Sequence, residues 1–476
     1  MKHYLFFTIA LIIMSCSIDN YKNDYDITKA IPKKSDLIIK FHDISKIHTK
    51  INEFKWWEQL KEIDFLSENL MLLKAANNIY NIAEIFHSKT VYLTSVILNK
   101  NTHNILLITK ISDLELKNNK LLRTINSSDN NPKNYDGIQI NSIKIHTNNQ
   151  QEKKIFFAIY HNTFLLSFSE IIIEESIRQI KTNTNLLELT PIKNLNNNLP
   201  KYSDLNILVK TQFLEKLIGQ KNIFLNSNTW SCFDLELEKD NIILNGVTNR
   251  GKIKYLQSNE YSDTHKSNIE TILPRHIKGF YKYQISNESD LNEVINIIGE
   301  GAHENIYHLS YKNWHPTEIN VAYTDPSFMK KSHIIFKPDK INMCLQYLKK
   351  HLVKKEKKYL NYDIYEITKK DMPSNYWLKE IIIKWNTIHY TIIDDYFIFC
   401  EDEINIKSLI NNKISKQTIG ESKALQIMSD KLGSKSHTSF YLNFQNHKQK
   451  WKTIFNSILS KNIASKDYFF NSIILL

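Results

Sequence analysis

The sequence predicts an α+β protein made of two tandem related units, each an antiparallel sheet with helices packed on one face. Three observations support this fold class: a long internal repeat, hairpin patterns that are followed by amphipathic helices in both halves, and a length of 476 residues, which exceeds one ordinary core. Hydrophobic residues make up 42% of the chain and charged residues 24%, as in folded globular proteins.

Two pairs of matching sequence patterns define the repeat. Pro32 and Pro274 each precede an apolar strand pattern, at an offset of 274 − 32 = 242 residues. The strand pattern that starts at Phe164 recurs at Phe397, at an offset of 397 − 164 = 233. We therefore expect a first unit over residues 31–265 and a second unit over residues 266–476.

Local patterns within each unit indicate the elements. Apolar residues at spacings of three and four over 44–60 predict a helix that Asp43 caps. Two apolar runs joined by His161-Asn162 predict a hairpin, and a helix should begin at Ser169 or Glu170. The second unit repeats this order, with a helix that begins at residue 402 or 403.

The end of the chain suggests an incomplete second unit. In the first unit, residues 230–238 and 242–247 predict a closing hairpin, whereas only residues 468–476 correspond to it in the second. We expect the second unit to lack its last strand and to leave an open apolar edge, which proteins usually cover. A protein partner could pair there, or the chain could be a shortened form of a longer protein.

The N-terminus has the organisation of a signal peptide over residues 1–15. Residues 5–14 form an apolar run of ten, far short of the ~20 residues that span a bilayer. The following Ile13-Met14-Ser15-Cys16 resembles the bacterial lipobox, which implies cleavage before Cys16 and lipidation of its sulfur, with residues 16–30 as a polar tether. Ordinary signal cleavage is the alternative, but it prefers a small residue where Ile13 stands.

Lipidation would place the protein in a bacterial cell envelope. Two or three acyl chains anchor a folded domain stably, at about 0.8 kcal/mol per buried CH₂ group. Ser17, in place of Asp, resembles lipoproteins that are sorted to the outer membrane rather than retained at the inner one. The expected partner of the chain is therefore a membrane, reached through Cys16.

Several features together resemble one group of proteins. They are the lipobox, the proline-led first strand, the helix that contains Trp56 and Trp57, the hairpin and helix around residues 164–167, and the Leu273-Pro274 start of the second unit. They are similar to envelope lipoproteins that are catalogued only as a domain of unknown function. The resemblance implies no catalytic or binding residues.

Composition argues against two classes of function. The net charge of +12 comes mostly from lysines spread along the whole chain, with one dense run at residues 354–358, so no nucleic-acid partner is expected. Nine glycines and no GxGxxG pattern leave little material for a phosphate-binding loop. Residues 246–252 approach a P-loop, but Ile253 stands where a hydroxyl must bind Mg²⁺. No cofactor is predicted.

None of the short sequence patterns that resemble catalytic motifs makes a complete motif. His303 and His308 are five residues apart, which turns the second imidazole to about 140° from the first on a helix. Ser327 and Lys330 have the penicillin-binding spacing, but no KTG follows. Asp394-Asp395 is better explained as a hairpin turn. We therefore predict no catalytic, cofactor-binding or metal-binding residues.

The other cysteines leave two alternatives open. Cys232, Cys344 and Cys400 have no metal-ligand spacing, and their number is odd once Cys16 is lipidated. They are either buried free thiols or include one disulfide.

These observations favour a non-enzymatic binding or scaffolding lipoprotein. An envelope hydrolase whose site is assembled from distant residues is the alternative, and a decayed copy with little function is a third. A polar cleft with convergent titratable groups would favour the hydrolase, whereas an extended sheet would favour binding.

Overall fold

The structure is a computed structural model. It describes residues 25–51, 54, 64–99, 102–126, 132–146, 152–197, 203, 205–213, 229–239, 241–249, 267–299, 315–325, 330–351, 355–372, 377–382, 384–432, 436–443, 457–464 and 468–475. Cys16, Trp56, Trp57, His303 and Ser327 lie outside the described residues.

The first unit contains ten strands among its described residues. Its strands and helices are β1 (Ser35–Phe41), α1 (Ile44–Ile51), α2 (Asp64–Tyr80), α3 (Ile82–Phe86), β2 (Val91–Asn99), β3 (Thr102–Lys110), α4 (Asp113–Asn118), α5 (Lys120–Arg123), β4 (Lys133–Tyr135), β5 (Ile138–His146), β6 (Glu152–Tyr160), β7 (Thr163–Ser167), α6 (Glu170–Lys181), α7 (Thr190–Asn197), β8 (Leu205–Lys210), β9 (Trp230–Leu237) and β10 (Ile242–Asn249). Three 3₁₀ turns occupy Ile27–Ala30, Thr124–Asn126 and Leu186–Glu188.

The second unit also contains ten strands among its described residues. Its strands and helices are β11 (Gly279–Gln284), α8 (Glu288–Ile298), β12 (Pro316–Tyr323), β13 (His333–Pro338), α9 (Ile341–His351), β14 (Lys355–Tyr359), β15 (Tyr362–Thr368), α10 (Trp377–Ile381), β16 (Thr387–Ile393), β17 (Tyr396–Cys400), α11 (Glu403–Ile414), α12 (Lys423–Leu432), β18 (Thr438–Asn443), β19 (Ser457–Ala464) and β20 (Tyr468–Leu475). Its 3₁₀ turns are Ile269–Thr271, Lys369–Asp371 and Ile419–Glu421.

All described strands belong to one antiparallel sheet of 20 strands. From one edge to the other, the order is β4-β5-β6-β7-β3-β2-β1-β8-β9-β10 and then β20-β19-β18-β11-β12-β13-β17-β16-β15-β14. The second half repeats the first in reverse, so the predicted fold class of two related α+β units is confirmed.

The hairpin and helix motif shows how closely the units correspond. α6 and α11 each have twelve residues and start 403 − 170 = 233 residues apart, and their N-cap residues, Ser169 and Asp402, both have extended backbones. These starts are where the sequence predicted them. Ile173 and Ile177 on α6 match Ile406 and Ile410 on α11, and all four are buried.

The sheet is covered by helices on both faces. On β7, Leu165 packs in a cluster with α6 and α7, whereas Phe164 and Leu166 pack in another with α2 and α3. We call the α6 side face A and the other side face B. In the second unit α11 and α12 lie on face A, and α8, α9 and α10 lie on face B. Helices α6 and α11 share one face, but the sequence predicted helices on one face of each sheet only, and that part of the prediction is corrected because further helices cover the other face.

The two units are joined by a seam, which we define as the antiparallel pair β10 and β20. Eight residue pairs form it, from Ile242 opposite Leu475 to Asn249 opposite Tyr468. On its other side, β20 pairs with β19. The prediction that the second unit lacks its last strand is therefore wrong, and the edge expected to be open is paired within the chain.

The missed strand is β19, and its sequence explains the error. The strand consists of SILSKNIA, in which Ser, Lys and Asn interrupt the apolar pattern. The offset also changes, from 438 − 205 = 233 for β8 and β18 to 457 − 230 = 227 for β9 and β19. A strand paired on both sides needs no continuous apolar run when one of its faces carries polar partners.

The outer edges of the sheet are β4 and β14, and both units protect them alike. Lys133 on β4 forms an ion pair of 2.6 Å with Glu170 of α6, and Lys357 on β14 forms one of 2.7 Å with Glu403 of α11. Charged residues, especially lysine, on short edge strands discourage pairing with other chains.

We expect Gly246→Ala to destabilise the pairing of β10 with β9, next to the seam. A Cβ at Gly246 would lie 1.9 Å from the carbonyl oxygen of Cys232 and 2.7 Å from Cδ1 of Phe233, so the strands must move apart. Overpacking of this kind lowers the free energy of unfolding by about 1–3 kcal/mol. Urea denaturation measures it, with exposed Asn245→Ala as the control, which should change stability by less than about 0.5 kcal/mol. Equal stability of the two variants would contradict the close approach.

Candidate functional site

The predicted lipidation site, Cys16, lies outside the described residues. Of the helices that the structure describes, none is both long and apolar enough to span a membrane. The other cysteines, Cys232, Cys344 and Cys400, are free and buried. Burial raises the pKa of Cys232 and of Cys344 to about 12, so both thiols stay protonated and unreactive.

Asp394 and Asp395 form a hairpin turn, as the sequence predicted. Asp394 has a φ of 51°, and His161 at the equivalent turn has a φ of 45°. The two carboxylates bind different lysines, with Lys413 at 3.0 Å from Asp394 and Lys337 at 3.5 Å from Asp395. They therefore do not form a catalytic pair.

A row of polar residues crosses the middle of the sheet, and the sequence did not reveal it. Leu208 and Tyr441, two residues from members of this row, belong to face-A clusters, so the row lies on face A. Each member is directly opposite the next on the neighbouring strand. This polar row consists of Asn320, Lys282, Ser439, Lys461, Ser472, Asn245, Asp234, Asn206 and Lys40.

The polar row follows the symmetry of the two units. Asn245 and Ser472 face each other across the seam at its centre. Lys40 and Lys282 are equivalent, at the offset of 282 − 40 = 242 that also relates the two prolines. The same scaffold position, however, carries Asp234 in the first unit and Lys461 in the second.

In the second unit, charged side chains converge from distant parts of the chain. We call Glu270, Lys282, Glu318 and Lys461 the charged cluster. Lys282 is 2% exposed, Glu318 5% and Lys461 8%. Charges this deeply buried are destabilising unless other charges or hydrogen bonds compensate them.

Hydrogen bonds hold one carboxylate of the charged cluster in place. Ser267 Oγ and Asn320 Nδ2 both donate to Glu318 Oε1, each at 2.8 Å. The hydroxyl group of Tyr396 accepts from the backbone N–H of Asn268 at 3.3 Å. These bonds tie the chain just before the 3₁₀ turn Ile269–Thr271 to the sheet beneath it.

Burial shifts the pKa values of Glu270 and Lys461 in opposite directions. Desolvation raises the pKa of Glu270, and the positive charges of Lys282 and Lys461 oppose that shift. Desolvation lowers the pKa of Lys461, and the negative charge of Glu270 opposes it. Both shifts favour the neutral forms, as expected where water is excluded.

The first unit has a counterpart built around the amide of Asn206. Its Oδ1 lies 2.7 Å from His42 Nε2, and its Nδ2 donates to Asp234 Oδ1 at 2.6 Å and to Ser203 Oγ at 2.7 Å. Desolvation raises the pKa of Asp234, whereas the hydrogen bonds from Asn206 and Ser203 lower it. This network links an imidazole to a carboxyl group through one amide.

The charged cluster places a serine between two lysines, as some hydrolytic sites do, but it lacks the other features that hydrolysis requires. Ser439 lies between Lys282 and Lys461, and a neutral lysine can activate a serine hydroxyl. Ser439 is only 2% exposed, however, and its strand is paired on both sides, so β18 has no free backbone N–H to stabilise an oxyanion. Within the described ranges, no group of three or more His, Cys, Asp or Glu residues could hold a metal ion.

Comparisons with known proteins add little. No protein-family model matches the chain, and no curated protein matches it. A solved structure titled "Structure of crystal form IV of TP0453" aligns with 52% of this chain and 90% of that chain, at 12% sequence identity and a TM-score of 0.27. A likeness at that level identifies neither a fold nor a function.

The charged cluster predicts a pH dependence that Glu270→Gln should remove. Folded Glu270 keeps its proton to a higher pH than its ordinary 4.5, so the wild-type protein loses stability as the pH rises through the raised value. The variant should therefore gain stability relative to the wild type as the pH rises above the ordinary value of 4.5. Chemical denaturation at successive pH values tests it.

The matched control is Glu421→Gln on the exposed side of a 3₁₀ turn of the same unit. It should show no such trend. A difference between Glu270→Gln and wild type that is the same at every pH would contradict a desolvated Glu270 carboxyl.

Proposed function

We propose that the protein is a lipoprotein of a bacterial cell envelope, cleaved before Cys16 and anchored by acyl chains on that cysteine, and that it acts by binding or scaffolding rather than by catalysis. The observation that supports the binding or scaffolding part is the seam, which joins both units into one continuous sheet with helices on both faces, and the lipobox-like Ile13-Met14-Ser15-Cys16 supports the anchor. A continuous sheet of this kind suits binding, because the hydrogen-bonded strands hold the surfaces of the two units in fixed positions.

The position of the first described residues suits an anchored protein. The 3₁₀ turn Ile27–Ala30 packs in the face-A cluster, where Ser176 Oγ of α6 donates to the carbonyl oxygen of Ala30 at 2.6 Å. Tyr25 is 25 − 16 = 9 residues after Cys16. Nine residues span at most about 32 Å when extended, so face A of the first unit would be held near the membrane.

Ser17 supports the outer membrane as the destination, because an aspartate after the lipidated cysteine is the usual feature of retention at the inner membrane. We therefore propose the outer membrane over the inner one. Fractionation of the two membranes distinguishes them.

An envelope hydrolase is the second candidate. The charged cluster favours it, since Ser439 lies between Lys282 and Lys461, and both lysines interact electrostatically with Glu270. If this candidate is correct, Ser439→Ala abolishes both turnover of an ester substrate and labelling by a fluorophosphonate. The burial of Ser439 supports binding instead.

Cys16→Ala tests the anchor. The wild-type protein should carry the mass of its acyl chains and sediment with membranes, whereas Cys16→Ala should remain unacylated and be lost from washed membranes. Intact mass spectrometry and membrane fractionation measure both. Cys232→Ala is the control, because this buried thiol should leave acylation unchanged. If Cys16→Ala keeps the acyl mass, lipidation at Cys16 is wrong.

A further inference from the structure

Three aromatic rings and two lysines meet on face A of the first unit, close to where the described chain begins. The rings of Tyr25 and Tyr160 lie edge to face with centroids 5.8 Å apart, and His161 stacks on Tyr25 at 5.5 Å. The ammonium group of Lys29 lies 5.6 Å from the centroid of the Tyr25 ring. That of Lys181 lies 5.5 Å from the centroid of the Tyr160 ring. We call these five residues the aromatic–basic patch.

The aromatic–basic patch is open to solvent and positively charged. His161 and Lys181 are exposed, and the two tyrosines and Lys29 are partly exposed. In the described part of the chain neither lysine forms an ion pair, and Lys29 Nζ donates to the uncharged Asn183 at 2.7 Å. The carboxylate of the neighbouring Asp26 accepts hydrogen bonds from the backbone N–H and the hydroxyl group two residues later. Two cations beside aromatic carbon are therefore available to a partner.

The fold does not require the aromatic–basic patch. By the offsets of 274 − 32 = 242 and 397 − 164 = 233, its five positions correspond in the second unit to Ser267, Thr271, Ile393, Asp394 and Ile414. None of these is aromatic or basic, and Asp394 forms an ion pair of 3.0 Å with Lys413. Because the second unit forms the same hairpin and helix without the patch, these residues are not what makes the hairpin and helix form.

We propose that the aromatic–basic patch binds the surface of an anionic lipid bilayer. The ammonium groups of Lys29 and Lys181 lie at the lipid phosphates, and the tyrosine rings lie at the boundary between headgroups and acyl chains. A lysine near an anionic surface strengthens binding about fivefold, and tyrosine rings are enriched at this boundary. Lysines beside tyrosine rings therefore match both layers of the bilayer surface.

The position of the patch supports this partner. Tyr25 is 25 − 16 = 9 residues after Cys16, so acyl chains on that cysteine would hold the patch within about 32 Å of the bilayer. This step rests on the proposed anchor and deepens it, whereas the lipid-binding chemistry of the patch does not depend on acylation. The patch would fix which surface of the protein faces the membrane.

The size of the patch argues against a protein partner. Stable interfaces between proteins involve about 20–30 residues on each side. Five residues are too few for that. They are enough to orient a molecule that acyl chains already keep at the membrane, because anchoring makes the second contact intramolecular.

The test is sedimentation with lipid vesicles of the full mature chain, made without residues 1–15 and with Cys16→Ala, so that no acyl chain contributes. The chain should sediment with phosphatidylcholine vesicles that contain about 30% phosphatidylglycerol and not with pure phosphatidylcholine vesicles. Binding should weaken as the salt concentration rises from about 0.05 M to about 0.5 M. No sedimentation with the anionic vesicles at about 1 mM lipid would overturn the proposal.

Two double variants with the same loss of charge locate the site. Lys29→Gln with Lys181→Gln should weaken binding to the anionic vesicles about 25-fold, which is fivefold for each lysine. Lys330→Gln with Lys355→Gln removes two exposed lysines of the second unit and should weaken binding less than about threefold. Equal losses in the two double variants would show that overall charge carries the binding, and the patch would be refuted.

His161→Asp with Asn162→Asp gives the first unit the turn residues of the second. This variant should fold, because Asp394 adopts a φ of 51° at the equivalent turn, where His161 has 45° and Asn162 has 61°. Its carboxylates should repel the lipid phosphates and weaken vesicle binding more than about tenfold, and unchanged binding would contradict the proposal. Acylation at Cys16 is measured by mass and not by vesicle binding, so a failed anchor and a failed patch give different results.

Discussion

The ladder between β10 and β20 is the interaction on which the architecture depends. Without it, each unit would end in a long strand with one row of unpaired N–H and C=O groups, which is a template for aggregation. The seam also joins the cores, since Ile243 of β10 packs in the face-A cluster of the second unit and Phe233 of β9 packs in its face-B cluster. Lys431 and Glu238 form an ion pair across the same boundary.

The two units share one fold but carry different polar residues at the middle of the sheet. The hairpin helices, the edge lysines and their glutamate partners correspond in both units, because each of these features stabilises a sheet edge or a core. The polar row differs, with the amide-centred network of Asn206 in the first unit and the charged cluster in the second. The side chains that differ are those outside the apolar cores and the edge ion pairs that the two units share.

Sequence patterns predicted the elements that local physics controls. The starts of α6 and α11 follow from the apolar period of three and four residues that begins after Ser169 and Asp402, whose backbones are extended. The turn at Asp394-Asp395 follows from residues that tolerate a positive φ. These features depend on a few neighbouring residues, so the sequence contains all the information that they need.

The sequence by itself determined the repeat, the two α+β units, the hairpin turns and the lipobox-like segment around Cys16. Only the tertiary structure decided that β19 completes the second unit, that β10 and β20 join the two units, and that Lys282, Asn320 and Lys461 lie together. Which residue of one strand faces which residue of another depends on register between segments far apart in the chain. A shift of one residue would turn each side chain to the other face, and no local pattern encodes that choice.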